Sequence, residues 1–512
     1  MKSTKIPYKL TNQFSDLVLD YINKSEKIKP FISYFPSLEN LRKQIIDKKN
    51  HFVDRKTLVN ALRIQNSNLV LSSHSKNNID QLLDSNTFTV TTGHQLCFFT
   101  GPVYFIYKII STINLVDKLN ETYPQYNFVP IFWMASEDHD FEEINHFHFF
   151  SKKIKWKTNK EGMVGNMNIT KISSIINELE LALGQSKNAA RLLSIFEATY
   201  KEKNLADATR FLINELFGDF GLVILDGNDS SLKLKLKSII KKDILEKGFF
   251  KSITDCSLDL KKEYKLQAYV RERNFFRLLD NSRERIDCVI DEEDINDNLA
   301  SFSPNVLLRP LYQETILPNI AYVGGGAEIS YWLQLKLAFQ QENIPMPILF
   351  LRNSVMILDK KKSKRLKSLG FLISDLFLNE DQLKNKFVLS KKDVDVSFLK
   401  EIGQIEVIYN HISKKTDDSS LKNSISSKLK DQNNFLKKLE KKLLKLEKTK
   451  YYVSLNQISN LKKDLFPNSI LQERFYNFST FYLEGGDSFI KIIKDNLDPL
   501  DPNFVVLSTK VN

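Results

Sequence analysis

Two short apolar runs of strand length, TFTVTT at 87–92 and VPIFWMA at 129–135, bracket a stretch of helical character, and no other feature restricts the fold as much. The first run is rich in β-branched residues and ends at Gly93; Thr100-Gly101-Pro102 then reads as a helix start, with the helix running through Leu119. Strand, loop, helix and strand in this order predict a βαβ unit and a parallel sheet, at whose carboxyl ends ligands gather. Core-like runs return at GLVIL (221–225, ending at Asp226), VLL (306–308), AYV (321–323) and PILFL (347–351), with a helix expected over 206–217.

Around this core the pattern changes. From Lys9 to about Leu83 apolar residues recur at three and four, as in helices. Residues 151–204 are basic and then helical, with short strands expected near 153–157 and 165–169, and 251–300 alternates strand-like pieces with charge, as an insertion would. Beyond Asp375, Ile425, Leu429, Gln432, Leu436, Leu439, Leu443, Leu446, Lys450 and Val453 form an a/d seam, a coiled-coil helix able to pair with one around 396–413 or with another subunit. An ordinary amphipathic helix on the core is the alternative. The boundaries that follow are 1–150 for the N-terminal helices and the first half of the core, 205–250 and 303–375 for further core, 151–204 for a basic and helical stretch between core segments, 251–302 for an insertion, 376–460 for the coiled coil, and 461–512 for a segment returning to the core.

At 512 residues the chain has room for about three domains. With 42% hydrophobic and 27% charged residues it reads as soluble and globular. MKSTKIPYKL lacks an apolar signal region, and the run from Phe98 to Val116 is interrupted by Lys108, so no membrane span is expected and the cytoplasm is the expected compartment. Three scattered cysteines, Cys97, Cys256 and Cys288, fit a reducing environment and no cysteine-based zinc knuckle. The net charge of +12 suggests nucleic acid at first sight, but it concentrates in lysine runs at 360–367 and at 421–450, where ten lysines face three acids; solvated helix faces explain these better.

Three segments carry candidate chemistry. Thr92-Gly93-His94-Gln95, leading to Gly101, places an imidazole and a close backbone approach at a strand end, suited to phosphate oxygens. Glu137-Asp138-His139-Asp140 is an acid/base cluster in the region that also holds His94, His146 and His148. If that segment is helical, His139, Glu143 and His146 share a face and make a metal-dependent hydrolase the rival reading. Arg309, with Tyr312, and then Tyr322, Gly324, Gly325, Gly326, Glu328 and Trp332 read as strand, glycine turn and helix, an anion-binding turn with a guanidinium fork for a carboxylate. It is not the dinucleotide fingerprint, because Ile329 holds the third glycine position, and no P-loop occurs.

Together, TTGHQLCFFTGPVYFIYKI (91–109), VPIFWMASEDHDFEEINH (129–146), SPNVLLRPLYQETILPNIAYVGGGAEISYWLQLK (303–336), MPILFLRNS (346–354) and QERFYNF (472–478) resemble the cysteine-adding enzyme family of bacillithiol biosynthesis. The resemblance implies an α/β, Rossmann-like parallel-sheet core with two connecting-peptide insertions and a C-terminal helical coiled coil that makes a homodimer. It implies a ligase that joins the carboxyl of cysteine to the amine of glucosaminyl-malate. Carried over, Glu137, Asp138, His139, Asp140 and His94 become the catalytic candidates. Thr92, Gly93, Gln95, Gly101, Arg309, Tyr312, Tyr322, Gly324, Gly325, Gly326, Glu328 and Trp332 become binding candidates, without a resident metal. The family pattern carries Gln where this chain has His94, which favours His139. Activation of a free carboxylate in water calls for ATP with Mg²⁺ on chemical grounds. Lys361-Lys362-Ser363-Lys364 echoes the loop of adenylate-forming synthetases, an echo that a lysine-rich chain produces by coincidence. A basic coiled-coil adaptor without catalysis is the competing class.

Overall fold

The computed structural model describes residues 1–158, 162–169, 172–280, 282–391 and 395–509. Its strands, in chain order, are β1 Lys2–Pro7, β2 Thr87–His94, β3 Asn127–Met134, β4 His146–Phe149, β5 Lys152–Lys155, β6 Val223–Asp226, β7 Phe275–Leu278, β8 Arg283–Arg285, β9 Phe302–Pro304, β10 Asn319–Gly324, β11 Ile348–Leu351, β12 Val355–Leu358 and β13 Asn503–Ser508. The chain divides into two compact units. One comprises Pro7–Val355 with Glu473–Val505, the other Met356–Gln472 with both ends of the chain.

The first unit is built on a parallel sheet of order β11-β10-β2-β3-β6. Alternation along β3 sends Val129, Ile131 and Trp133 to one apolar cluster and Phe128 to the other, so both faces are covered. Helix Tyr104–Thr122 joins β2 to β3 and is buried along most of its length, with Leu115, Val116 and Leu119 in the second cluster. From β2 the chain steps to β3 and β6 on one side, then returns to place β10 on the other. The order therefore reverses between β2 and β10, where a crevice opens beyond the carboxyl ends of the strands.

Several expectations shift in detail. Strand β2 runs past Gly93 to His94, because Gly93 pairs with Trp133 where a Cβ would come within 3.3 Å of Trp133 Cβ. The following helix begins at Tyr104, not at Thr100, after a 3₁₀ turn over Phe98–Thr100. No strand forms over 165–169; Val164–Asn166 is a 3₁₀ turn, held because Gly165 N–H donates to Ser136 O at 2.9 Å in a space that a side chain would fill. The stretch after 250 opens with helix Phe250–Lys261 before the antiparallel sheet β8-β7-β9.

In the second unit, helices Leu399–Ser413 and Ser419–Lys450 form an antiparallel hairpin, fixed by Phe398 N–H to Glu440 Oε1 at 2.7 Å and by Asn433 Nδ2 to Glu406 Oε1 at 3.1 Å. Ile425, Leu429, Leu436, Leu439 and Leu443 are half-buried in it, whereas Gln432, Leu446 and Val453 are exposed and Asn433 and Glu447 take inner positions. A helix of 3.6 residues per turn drifts from a strict seven-residue repeat, and the helix breaks at Tyr451 before Val453. Lys361-Lys362-Ser363-Lys364 lies inside helix Lys360–Ser368, capped by Asp359, and is not a loop. Among the described residues no helix is long and apolar enough to cross a membrane.

Candidate functional site

A cleft of 870 Å³ opens at the switch point of the parallel sheet. Its floor is the ends of β2, β3 and β10, which deliver Gly93 and His94, Trp133 and Met134, and Tyr322. Its walls are the acidic loop after β3, the small sheet β8-β7-β9 and the glycine turn after β10.

At the centre is a group the sequence reading passed over. Lys108, on helix Tyr104–Thr122, donates to the Gly93 carbonyl and pairs with Glu328 at 2.6 Å. Glu328 Oε1 also accepts from Tyr322 OH at 2.5 Å, and its Oε2 accepts the Gly325 N–H at 2.8 Å. Burial alone would raise the Glu328 pKa, but Lys108 and these donors hold it below the usual carboxylate range. Its oxygens are thus engaged internally, and the glycine turn spends the Gly325 amide on its own carboxylate.

Arg309 starts helix Arg309–Ile316, where Pro310 fits the first turn and Asn305 accepts the N–H groups of Leu307 and Leu308. Its guanidinium lies 5.5 Å from the Tyr322 ring and 5.8 Å from Trp133, and it donates to Gln313 Oε1 at 3.0 Å. Among the described residues it forms no ion pair, so an unneutralised charge lines the cleft.

The acidic cluster separates into distinct roles. Glu137 pairs with Lys233, which also donates to Asn228 Oδ1 and the Ala300 carbonyl. Asp138 accepts from Gln95 Nε2 at 2.8 Å; among the described residues its one ion-pair contact is His139, at 3.8 Å, and its charge also acts on the Arg283 guanidinium. Glu137 and Asp138 line the cleft; His139 is exposed beside it, and Asp140 caps the short helix Phe141–Ile144. That helix ends before His146, which belongs to β4, so His139, Glu143 and His146 do not share a helical face. Among the described residues no group of three metal-ligating side chains exists, and the hydrolase alternative loses its donor set.

His94 is held neutral. Its Nδ1–H faces the Gln95 carbonyl at 3.1 Å, which leaves Nε2 to accept from Tyr104 OH at 3.2 Å. Burial, and then Lys108, lower its pKa to about 4. Cys97 Sγ lies 3.8 Å from Nδ1, but burial pushes its thiol up to about 12 and favours the neutral form.

Gly93, Gln95, Gly325 and Gly326 also line the cleft. Other expected binding residues support it from behind. Thr92 Oγ1 donates to the Val323 carbonyl, Tyr312 OH donates to the Gly227 carbonyl, and Trp332 is fully buried against Tyr322. Gly324 packs on Tyr322 and Glu328, and Gly101 sits at φ +60° with Cys97 where its Cβ would be. Besides Lys108, the sequence reading did not select Arg271, Arg283, Arg285, Arg352 and Arg474, all cleft-lining. The signal for Lys108 was a lone charge in an apolar helix; for Arg283 and Arg285 it was spacing by two in a strand-like piece.

Comparisons with known proteins bear on this site. The model of the bacillithiol biosynthesis BshC N-terminal Rossmann-like domain matches residues 1–353, and that of the BshC C-terminal coiled-coil domain matches 355–509. A protein of Flavobacterium johnsoniae named "Putative cysteine ligase BshC" is 41% identical, covering 99% of this chain and 100% of its own. Proteins of the same name from Flavobacterium psychrophilum and Christiangramia forsetii are also 41% identical, each covering 99% of both chains. These matches run through the cleft-bearing unit and the hairpin alike, and they lend no support to an adaptor without catalysis.

Proposed function

Because the chain belongs to the BshC family of bacillithiol biosynthesis, we propose that it is a cysteine ligase of that pathway, forming an amide between the cysteine carboxyl and the amine of glucosaminyl-malate. The observation that carries this reading within the site is a guanidinium, Arg309, and a carboxylate, Asp138, lining one cleft, with neither in an ion pair with a lysine, arginine, aspartate or glutamate among the described residues. A carboxylate donor and an amine acceptor need that pair of groups. Arg309 takes the carboxylate of cysteine as a fork. Asp138, held by Gln95, orients the sugar amine and accepts its proton as the C–N bond forms. Glu328, already saturated, positions Lys108 and Tyr322.

The carboxylate oxygen must leave on an activating group, and ATP with Mg²⁺ supplies that chemistry. Arg474, exposed at the cleft and without an ion pair among the described residues, fits a phosphate chain. The magnesium would arrive with the phosphates, needing few protein ligands. On the same reading the protein works in the cytoplasm as a homodimer through the coiled coil, with 151–204 and 251–302 as insertions into the core and 461–512 returning to it.

The test is mass spectrometry of protein incubated with cysteine, glucosaminyl-malate and Mg²⁺, with and without ATP. A product of bacillithiol mass that needs both enzyme and ATP is expected. A folded protein that yields none under any nucleotide would overturn the reading.

A further inference from the structure

The hairpin β7–β8 carries arginines on both of its faces, and the two faces are treated differently. Directly opposed residues of an antiparallel pair share a face, and here Phe276 opposes Arg285, Leu278 opposes Arg283, and Arg277 opposes Glu284. On the face away from the cleft, Arg277 forms a two-pronged ion pair with Asp294. On the cleft face, Arg283 and Arg285 have no carboxylate partner among the described residues; their guanidinium carbons lie 4.1 and 4.8 Å from the centre of the same Phe276 ring. Arg271, just before β7, adds a third guanidinium over Tyr269, again without an ion pair among the described residues. Burial first, and then like charge, oppose the charged forms: Arg271 acts on Arg285 and Arg285 on Arg283, while Glu137 and Asp138 attract Arg283 and Asp287 attracts Arg285. One hairpin therefore pairs its outer arginine with a carboxylate and, among the described residues, leaves the row of cleft-facing arginines outside any ion pair.

The row has a definite place in the site. Arg283 Nη1 lies 3.5 Å from His139 Nδ1, the neighbour of Asp138, and Arg283 Nη2 is fixed on the Pro304 carbonyl at 2.9 Å. These charges therefore stand next to the group that handles the attacking amine, apart from Arg309 on its own helix. Residues two apart on a strand are separated by roughly 6.6 Å. That spacing presents two forks to two carboxylates of one small molecule.

We propose that the Arg271, Arg283 and Arg285 row is the specificity element for the acceptor, binding the two carboxylates of its malyl end while the amine points at Asp138. This rests on the acceptor named above and adds which residues select it. The three-stranded sheet β8-β7-β9 thereby becomes the part of the fold that distinguishes a sugar bearing a dicarboxylate from the bare amino sugar.

Isothermal titration of the full-length protein tests it, with glucosaminyl-malate, methyl glucosaminide and ATP as separate titrants, on the unaltered chain and on Arg271→Gln, Arg285→Gln and Arg277→Gln. Glucosaminyl-malate is expected to bind about 10–100-fold more weakly to the first two variants, with ATP affinity unchanged and Arg277→Gln close to the unaltered protein. Methyl glucosaminide should bind weakly and equally to all. If the unaltered protein binds glucosaminyl-malate and both cleft variants bind it as tightly, this inference falls alone. If the variants lose ATP and keep the acceptor, the row serves phosphate and the inference is again wrong. No binding of glucosaminyl-malate to the unaltered protein removes the acceptor reading and this inference together.

Discussion

His94 shows how much of a residue's role depends on neighbours the sequence does not reveal. As an imidazole at a strand end it suggests a group for phosphate oxygens; its burial against Tyr104 and the Gln95 carbonyl keeps it neutral, which the sequence alone does not show. The unfolded chain takes up a proton at this residue below about pH 6.5, whereas the folded one does so only near pH 4, so its contribution to stability is full above 6.5 and lost as the pH falls towards 4. His94→Gln, which can still accept from Tyr104 and donate to the carbonyl, should shrink the loss of unfolding free energy between pH 7 and pH 4.5 by roughly 2 kcal/mol. Urea titrations at both pH values measure this, and identical pH sensitivity in the two proteins would refute it. Asp138, Arg309 and the glycine turn were legible because each sits in a dense motif next to a strand end. Lys108 was not: in sequence it only interrupts an apolar helix, and its meaning comes from Glu328, which meets it through the fold.

At the scale of elements, the strands were readable wherever apolar β-branched runs ended in glycine or acid, and they failed where packing overrode pattern, as at Gly165 beneath Ser136. The loop between β2 and its helix is a sharper case. Phe99, Thr100 and Gly101 all adopt positive φ, a strained run in which Thr100 and Gly101 donate locally to the Cys97 and Phe98 carbonyls at 3.0 Å each. Support comes from Asn477, whose Nδ2 donates to the Phe99 and Gly101 carbonyls at 2.7 and 2.5 Å while its Oδ1 accepts the Ser479 N–H. Asn477→Ala leaves those buried carbonyls without a donor and should lower stability by about 2–3 kcal/mol. Chemical denaturation checks the magnitude, and a change below about 0.5 kcal/mol, the range of a neutral surface substitution, would show that the loop holds itself. The coiled coil was readable as an element but not in its register, because a repeat of seven in the sequence does not say where a helix of 3.6 residues per turn will break.

For the whole molecule, the hairpin presents apolar side chains that its own two helices leave uncovered, Val407 at 69% and Phe435 at 56% exposure among them. A second copy of the chain would cover them. On the proposed homodimer reading, the unaltered protein should run at twice the chain mass in size-exclusion chromatography with light scattering and the variant with Asp at both positions at the chain mass; a monomeric unaltered protein would refute the homodimer, and an unaltered dimer mass in the variant would refute this contact. The last consequence concerns time. The cleft-bearing unit is interrupted: Glu473, which accepts from the Arg352 guanidinium and from the Val355 amide, is made only after all of Met356–Gln472. At ribosomal speeds of 5–20 residues per second that is a delay of roughly ten seconds. During it the parallel sheet can form while Arg352 has no counter-charge and Arg474 is absent from the cleft. A nascent chain therefore passes through a stage with most of its core and an incomplete cleft, and the cleft is completed only once the segment carrying Glu473 and Arg474 has left the ribosome.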